Sequence, residues 1–353
     1  MERSATDNGW GENVNMNAQV QNNGSSLVDS FGRVINNLRI SVTDRCNFRC
    51  RYCMPEEGMQ WLPKDSLLTF EELARVAGVF AGMGITKIRL TGGEPLMRKD
   101  LHRLVEYLAS IDGIQDLALT TNGFFLSEQI EQLVGSGLRR LNVSLDSLDP
   151  VKFNVMTRRD YYHRVMEGLE AAGRLGLNPI KVNVVLIRGI NDNEIPAFAE
   201  LARSKPYVIR FIEFMPIGAE DGWTPDRVVP ASEVIRRIEA STGCSLKPVE
   251  YHGAQPADRF QFSDGRGEIG FISSVSEPFC DHCNRVRITS DGKLRTCLFS
   301  LQETDLRGLI RTGGTDEDLR SVIRAAVAAK EQGHHINESD FVRPARTMSQ
   351  IGG

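Results

Sequence analysis

SVTDRCNFRCRYCMP, Ser41 to Pro55, carries three of the chain's seven cysteines, Cys46, Cys50 and Cys53, at C-x3-C-x2-C spacing. They follow directly on a short β-rich run. A closed structural zinc site takes four ligands and a disulfide takes two. Thiolates are soft ligands that suit zinc or iron–sulfur clusters. A [4Fe–4S] cluster normally takes four cysteines, so three leave one iron with an open position, the mark of a metal centre that does chemistry. Two other readings stand beside this one. A zinc site would need a fourth ligand, and no further His or Cys lies near in sequence. A redox pair at Cys50 and Cys53 would leave Cys46 without a role.

Outward from this stretch the chain alternates between β-rich runs and amphipathic helical segments. The runs are LRISVT (38–43), KIRLTGGEP (87–95), LALTTNG (117–123), LNVSLDS (141–147), IKVNVVLI (180–187) and VIRFIEFMP (208–216). TFEELARVAGVFAGMG (69–84) reads as a helix, with Thr69 as N-cap, Glu72 completing a capping box and Gly84 as the C-terminal stop. Further helices are expected from near Lys99, Ser127, His163, Glu194 and Ala231. Six strand–helix units imply right-handed crossovers and a parallel sheet. Polar residues near the strand C-termini (Thr91, Thr120, Ser144, Asn183, Glu213) fit barrel strands whose chemistry sits at the C-terminal mouth. The expected fold is therefore α/β, an incomplete TIM-like (βα)6 barrel, with a doubly wound sheet as the alternative that periodicity leaves open.

After residue 245 the pattern changes. GEIGFISSVSEPFCDHCNRVRITSDGKLRTCLF (267–299) contains short β-rich pieces and a second triplet, Cys280, Cys283 and Cys297. The hairpin signal SDGK (290–293) would fold Cys297 back toward the other two. A zinc ribbon completed by His282 or a more distant His competes here with a second iron–sulfur cluster, and His282, lying between two cysteines, would point away from a shared metal. DEDLRSVIRAAVAAKEQ (316–332) reads as a helix. Cys244 reads as a small apolar residue near a turn, His334 and His335 as solvated, and His102 and His163 as helix residues without a special role. No Walker-type glycine loop appears, so phosphate recognition would not be of that kind.

The 353 residues suit one barrel-sized domain with an appendage. We expect a flexible extension over 1–30, a partial barrel over 31–245 and a C-terminal cluster- and substrate-binding region over 246–353. The first residues are rich in Asn, Gly and Ser, without the apolar core of a signal peptide or the basic bias of a transit peptide. No run of 18 apolar residues occurs. A cytoplasmic location is expected, with metal ligation in place of disulfides. The net charge of −4 does not advertise nucleic acid or membrane, and neither is expected as a partner.

C-x3-C-x-Φ-C, with Tyr52 just before the last cysteine, resembles the signature of the radical S-adenosylmethionine (SAM) superfamily, and TGGEP (91–95) resembles its motif for the SAM amino group, where Glu94 could oppose an ammonium. The second triplet, in FCxxCxRxR, narrows the resemblance to the GTP 3′,8-cyclase family of molybdenum cofactor biosynthesis. RLTGGEPL, LTTNG, LNVSLDS, KVNVV, RFIEFMP and the Gly-Gly end also carry it, from about Asp29 to Gly353. The resemblance implies two [4Fe–4S] clusters, one on each triplet, and SAM as cofactors, and GTP as substrate. It implies that a 5′-deoxyadenosyl radical takes the ribose 3′ hydrogen and that the sugar radical attacks C8 of guanine. It carries SAM contacts to Tyr52, Gly93, Ser144 and Met215, and substrate contacts to Arg39, Arg89, Thr120, Lys181, Arg285 and Arg287. Arginine forks suit phosphate oxygens. A single strand-end Arg reads as a surface charge; five cations on strand ends around two metal sites read as an anion site, and Arg210 is a further basic candidate. The resemblance also implies a homodimer and cyclic pyranopterin monophosphate synthase as the enzyme that acts next. A radical SAM enzyme with an auxiliary cluster and a peptide or RNA substrate is the alternative function, and a zinc-stabilised binding module the non-enzymatic one. The Gly352–Gly353 tail either reaches the active site or frays.

Overall fold

The computed structural model describes residues 26–57, 59–218, 222–250 and 255–352. Most of the expected N-terminal extension, residues 1–25, lies outside them. Six strands run parallel in chain order: β1 (Asn37–Ser41), β2 (Lys87–Thr91), β3 (Asp116–Thr121), β4 (Arg140–Ser144), β5 (Ile180–Leu186) and β6 (Tyr207–Glu213). Between and after them come α1 (Phe70–Ala81), α2 (Leu101–Ala109), α3 (Leu126–Gly135), α4 (Pro150–Thr157), α5 (Tyr162–Arg174), α6 (Ile195–Ser204) and α7 (Ala231–Thr242). Thr69 and Glu72 form the capping box of α1. The helix ends at Ala81 with Gly82 as its C-cap; Gly84, expected as the stop, lies two residues further on at φ +96°. Helix α4 was not expected, although Asp149 caps it and Pro150 opens it, a legible start signal.

The C-terminal region serves both edges of this sheet. β7 (Leu246–Pro248), β8 (Asp258–Phe262) and β9 (Glu268–Ile272) form an antiparallel meander whose last strand lies parallel to β6. β10 (Arg285–Ile288) lies parallel to β1, and the Asp291–Gly292 turn leads back along β11 (Lys293–Arg295) to β12 (Thr304–Asp305). Open edges present unpaired backbone groups, and β9 and β10 pair with one edge each. The sheet thus holds eight parallel strands, from β10 through β1–β6 to β9, and among the described residues no pairing joins its two ends. Helices α8 (Leu306–Arg311), α9 (Asp316–Ala328) and α10 (Met348–Ile351) complete the fold.

Strand alternation sorts the side chains. Leu38, Ile40, Ile88, Leu90, Val182 and Val184 are buried in the apolar core shared with the helices. The alternate residues Arg39, Arg89, Asn183 and Arg210 face an internal cavity instead. No helix among the described residues is long and apolar enough to cross a membrane.

Candidate active site

One cavity of about 290 Å³ is lined by all six cysteines of the two triplets. The first triplet lies on the loop after β1. Phe48 anchors that loop edge-to-face on Phe153, with ring centroids 5.8 Å apart. The amides of Arg49 and Arg51 bond the carbonyls of Thr157 and Met156 at the end of α4. Burial pushes the Cys46 thiol up to about 12, with the Glu94 carboxylate adding, and the Cys53 thiol up to about 12. Buried thiols of this kind become thiolates when a metal centre supplies positive charge. Among the described residues no three His, Cys, Asp or Glu side chains are grouped to hold one metal ion. Tetrahedral zinc needs sulfurs about 3.8 Å apart, from Zn–S bonds of about 2.3 Å. Three soft thiols on one cavity wall are the donor set an iron–sulfur cluster takes.

The TGGEP turn packs under this loop. A Cβ on Gly93 would stand 2.4 Å from the Arg45 carbonyl oxygen, so only glycine fits there. The Gly93 amide bonds Thr43 O at 2.8 Å, and the Glu94 amide bonds Arg45 O at 2.8 Å. Glu94 itself departs from expectation. Its buried carboxylate accepts from the Leu96 amide (2.9 Å), the Thr121 hydroxyl (2.7 Å) and the Asn122 amide (2.6 Å). It ties the turn after β2 to the turn after β3, and it does not line the cavity. Tyr52, Gly93, Ser144 and Met215 all do. The Tyr52 hydroxyl donates to Asp146 Oδ2 at 2.5 Å. Asp146 also accepts from the Val185 amide at 2.8 Å, and burial raises it to about 6 against these two donors.

The cations sit deeper than strand ends. Arg39 and Arg89 occupy the middle of β1 and β2, and the register sets Arg287, Arg39 and Arg89 side by side across β10, β1 and β2. Burial pulls Arg39 well below its ordinary value, and the guanidiniums of Arg287, Arg285, Arg89 and Arg210 add to it. Burial pulls Arg287 and Arg210 down to about 9 and Arg89 to about 10. The Nε atoms of Arg39 and Arg89 are buried without a partner among the described residues. Arg89 Nη1 reaches Thr120 Oγ1 at 3.5 Å, and Arg210 is held by Asn183 Oδ1 and Asn142 Oδ1. Lys181 near the start of β5 does not line the cavity, yet burial pulls it down to about 7, with Arg210 and Arg140 adding. A buried set of cations with unused donors is an anion receptor.

The second triplet closes the other side. Cys280 and Cys283 flank a 3-10 turn, and Cys297 follows β11. Arg285 stacks over Phe279 at 4.7 Å. Burial opposes ionisation of Cys283, but Arg285 and Lys330 outweigh it and hold the thiol at about 7. His282 is exposed. His334 is not solvated as expected: it lines the cavity and packs on Phe299 at 5.4 Å, while His335 is exposed and pairs with Glu338. The C-terminus also arrives here. Arg287 Nη1 donates to Gly352 O at 2.6 Å. A Cβ on Gly352, whose φ is +84°, would meet Ser41 Cβ at 2.7 Å. Gly353 lies outside the described residues.

Two family models match the chain: the Radical SAM superfamily over residues 40–202 and Molybdenum Cofactor Synthesis C over 207–336. A GTP 3′,8-cyclase of Streptomyces coelicolor is 44% identical over 328 residues, covering 93% of this chain and 96% of that protein. The chain belongs to the GTP 3′,8-cyclase family. A Moorella thermoacetica member is 47% identical over 328 residues (93% and 100% covered), and the mitochondrial one of Arabidopsis thaliana is 45% identical over 330 (93% and 83%). The crystal structure of Streptococcus suis SuiB matches the fold with a TM-score of 0.60 at 13% identity, covering 89% of this chain and 78% of that one. Membership in the radical SAM superfamily implies SAM and a [4Fe–4S] cluster, which the donor chemistry of the first triplet fits.

In this GTP 3′,8-cyclase family member, several cavity-facing or supporting residues escape a sequence reading. Asp146 is visible only through its partner Tyr52, 94 residues away. Arg33 pairs with Asp29 at 2.5 Å and also bonds the carbonyls of Cys280, Glu331 and Gln332. The pair sits in the turn between the bridged Val28 and Val34, and nothing local in sequence marks its hold on the second triplet.

Proposed function

We propose that this chain is a radical SAM lyase that converts GTP to (8S)-3′,8-cyclo-7,8-dihydroguanosine 5′-triphosphate, the first committed chemistry of molybdenum cofactor biosynthesis. The observation that carries this reading is one cavity bounded by two incomplete thiol triplets, with the row Arg287, Arg39 and Arg89 on its wall. A cofactor pole, a second metal pole and an anion receptor in one enclosure match a nucleotide triphosphate acted on by radical chemistry.

In this reading Cys46, Cys50 and Cys53 hold the first [4Fe–4S] cluster and Cys280, Cys283 and Cys297 hold a second. When bound, the first cluster and SAM supply the 5′-deoxyadenosyl radical that takes the ribose 3′ hydrogen. The chain's own part is placement. Tyr52, Gly93, Ser144 and Met215 hold SAM. Arg39, Arg89, Arg285, Arg287 and Thr120 hold GTP with the triphosphate among the buried cations, where attraction is stronger than in water, and Lys181, off the cavity wall beside Arg210, adds its charge to the substrate site. In this reading the second cluster orients the base, opposite the SAM side. Fixing two reactants in one enclosure is worth several orders of magnitude in rate. The barrel (31–245) supplies the radical pole and the C-terminal region (246–353) the second metal pole. The reading also has the protein working in the cytoplasm as a homodimer, with cyclic pyranopterin monophosphate synthase consuming its product.

Anaerobic incubation of reconstituted protein with SAM, dithionite and GTP tests it. Cyclised nucleotide and 5′-deoxyadenosine should form together and only with GTP. Deoxyadenosine that forms equally without GTP, with no cyclised product, would point to another substrate.

A further inference from the structure

Lys330 lies just past the end of α9 and is 3% exposed. It does not line the cavity; it stands behind the second triplet. Its ammonium donates to the carbonyls of Arg285 and Thr296. Arg285 follows Cys283 by two residues, and Thr296 directly precedes Cys297. One side chain therefore joins the two arms that carry these cysteines. The segment bearing it is fastened in turn, since Arg33 bonds the carbonyls of Glu331 and Gln332 at 2.7 Å each.

Carbonyls orient an ammonium without neutralising it. Among the described residues no carboxylate lies within ion-pair distance of Lys330, and the neighbouring Glu331 carboxylate accepts from Thr296 Oγ1 at 2.8 Å. Burial opposes ionisation of Glu331, but its bonds with Ser300 and Thr296 and the charge of Lys330 hold it below its ordinary value; a buried ammonium held directly by carbonyls alone still gains from a further anion nearby. Cys283 and Cys297 lie two residues and one residue from the two carbonyls that hold it, so a cluster on these thiols would stand beside this charge.

We propose that Lys330 is a positioning residue for the second iron–sulfur cluster, fixing the spacing of Cys283 and Cys297 and stabilising the cluster's reduced form with its charge. This rests on the two-cluster reading above. Each electron added to a cluster adds negative charge, so a fixed cation behind two of its ligands raises its midpoint potential. A merely structural lysine would leave that potential unmoved.

The test compares anaerobically reconstituted full-length wild type, Lys330→Met and Lys330→Arg by iron content and by redox titration followed by electron paramagnetic resonance. The second cluster's signal is the one lost in Cys297→Ser. Lys330→Met should shift its midpoint to more negative potential by at least a tenfold change in the reduced-to-oxidised ratio, about 59 mV for one electron. Lys330→Arg should stay near wild type, and the first cluster should not move. A fully loaded Lys330→Met with an unmoved second midpoint overturns the role of Lys330 alone. If Lys330→Met loads only one cluster, Lys330→Arg restores the second where the proposal is right and leaves it absent where it is wrong. A wild type holding about four iron atoms, one cluster in place of two, overturns the two-cluster reading and this role with it.

Discussion

Arg39 and Arg287 stand opposite each other in register on β1 and β10, two guanidiniums facing one cavity with no carboxylate paired to either among the described residues. Burial and mutual repulsion both work against them. Sites that hold such strain are built to be relieved by a ligand. Replacing one cation should therefore separate stability from binding. Arg39→Met should raise the melting temperature of the protein without nucleotide. It should weaken GTP binding by about 1.5–3 kcal/mol, the usual worth of a hydrogen bond to a charged group, which is roughly 10- to 150-fold. Calorimetry and thermal melts check both. A variant that is less stable and binds GTP normally would contradict the receptor role.

Lys181 gives that receptor a proton signature. Burial pulls it down to about 7, with Arg210 and Arg140 adding, while an unfolded lysine titrates near pH 10.4. Between these values the unfolded chain binds the extra proton, so this group makes the fold more stable as pH rises from about 7 to about 10. A polyanion in the adjoining cavity, among Arg210 and Arg89, favours its charged form. GTP binding at pH 8 should take up close to one proton, read as a heat that depends on the buffer's ionisation enthalpy. Lys181→Met should abolish the uptake; equal uptake in the variant would assign it elsewhere.

Glu94 should behave as a fastener. Burial raises it to about 7, although the Asn122, Thr121 and Leu96 donors oppose this. The folded carboxyl keeps its proton up to about pH 7, and the unfolded one releases it near pH 4.3. Its contribution to stability is therefore fully present below the unfolded value and declines as pH rises to about 7. Glu94→Gln should flatten that part of the stability profile. At pH 7.5 it should cost about 1–3 kcal/mol, because the Asn122 amide loses its acceptor. An unchanged profile across that window would contradict the assignment.

Gly352 tests how the C-terminus serves the cavity. At φ +84°, and with Ser41 Cβ 2.7 Å from where its own Cβ would stand, it admits no side chain. Gly352→Val should expel the tail and break the bond from Arg287 to the Gly352 carbonyl. Turnover should fall at least tenfold while iron content stays at the wild-type level, both measured on the same preparation. Full activity in the variant would show the contact to be incidental.

The strands, the first helix and both triplets were legible because their signals are local. Alternation has period two, capping residues lie within four positions, and cysteine spacing is read directly. What escaped depends on register and return paths. The row Arg287, Arg39, Arg89 exists only because β10, almost 250 residues after β1, pairs parallel to it. That pairing places the arginines mid-strand and inside, where sequence reading put them at strand ends. His334 reads as solvated in its polar stretch, and only the return of the chain past Phe299 buries it. Glu94 reads as a ligand for an ammonium because nothing near it in sequence shows that Thr121 and Asn122 use its oxygens.

The most direct test of the central claim is isotopic. GTP deuterated at the ribose 3′ position is incubated anaerobically with reconstituted protein, SAM and dithionite, and the 5′-deoxyadenosine is weighed by mass spectrometry. The account predicts one deuterium in deoxyadenosine, formed together with cyclised triphosphate. Deoxyadenosine free of deuterium, at a yield indifferent to GTP, would contradict it.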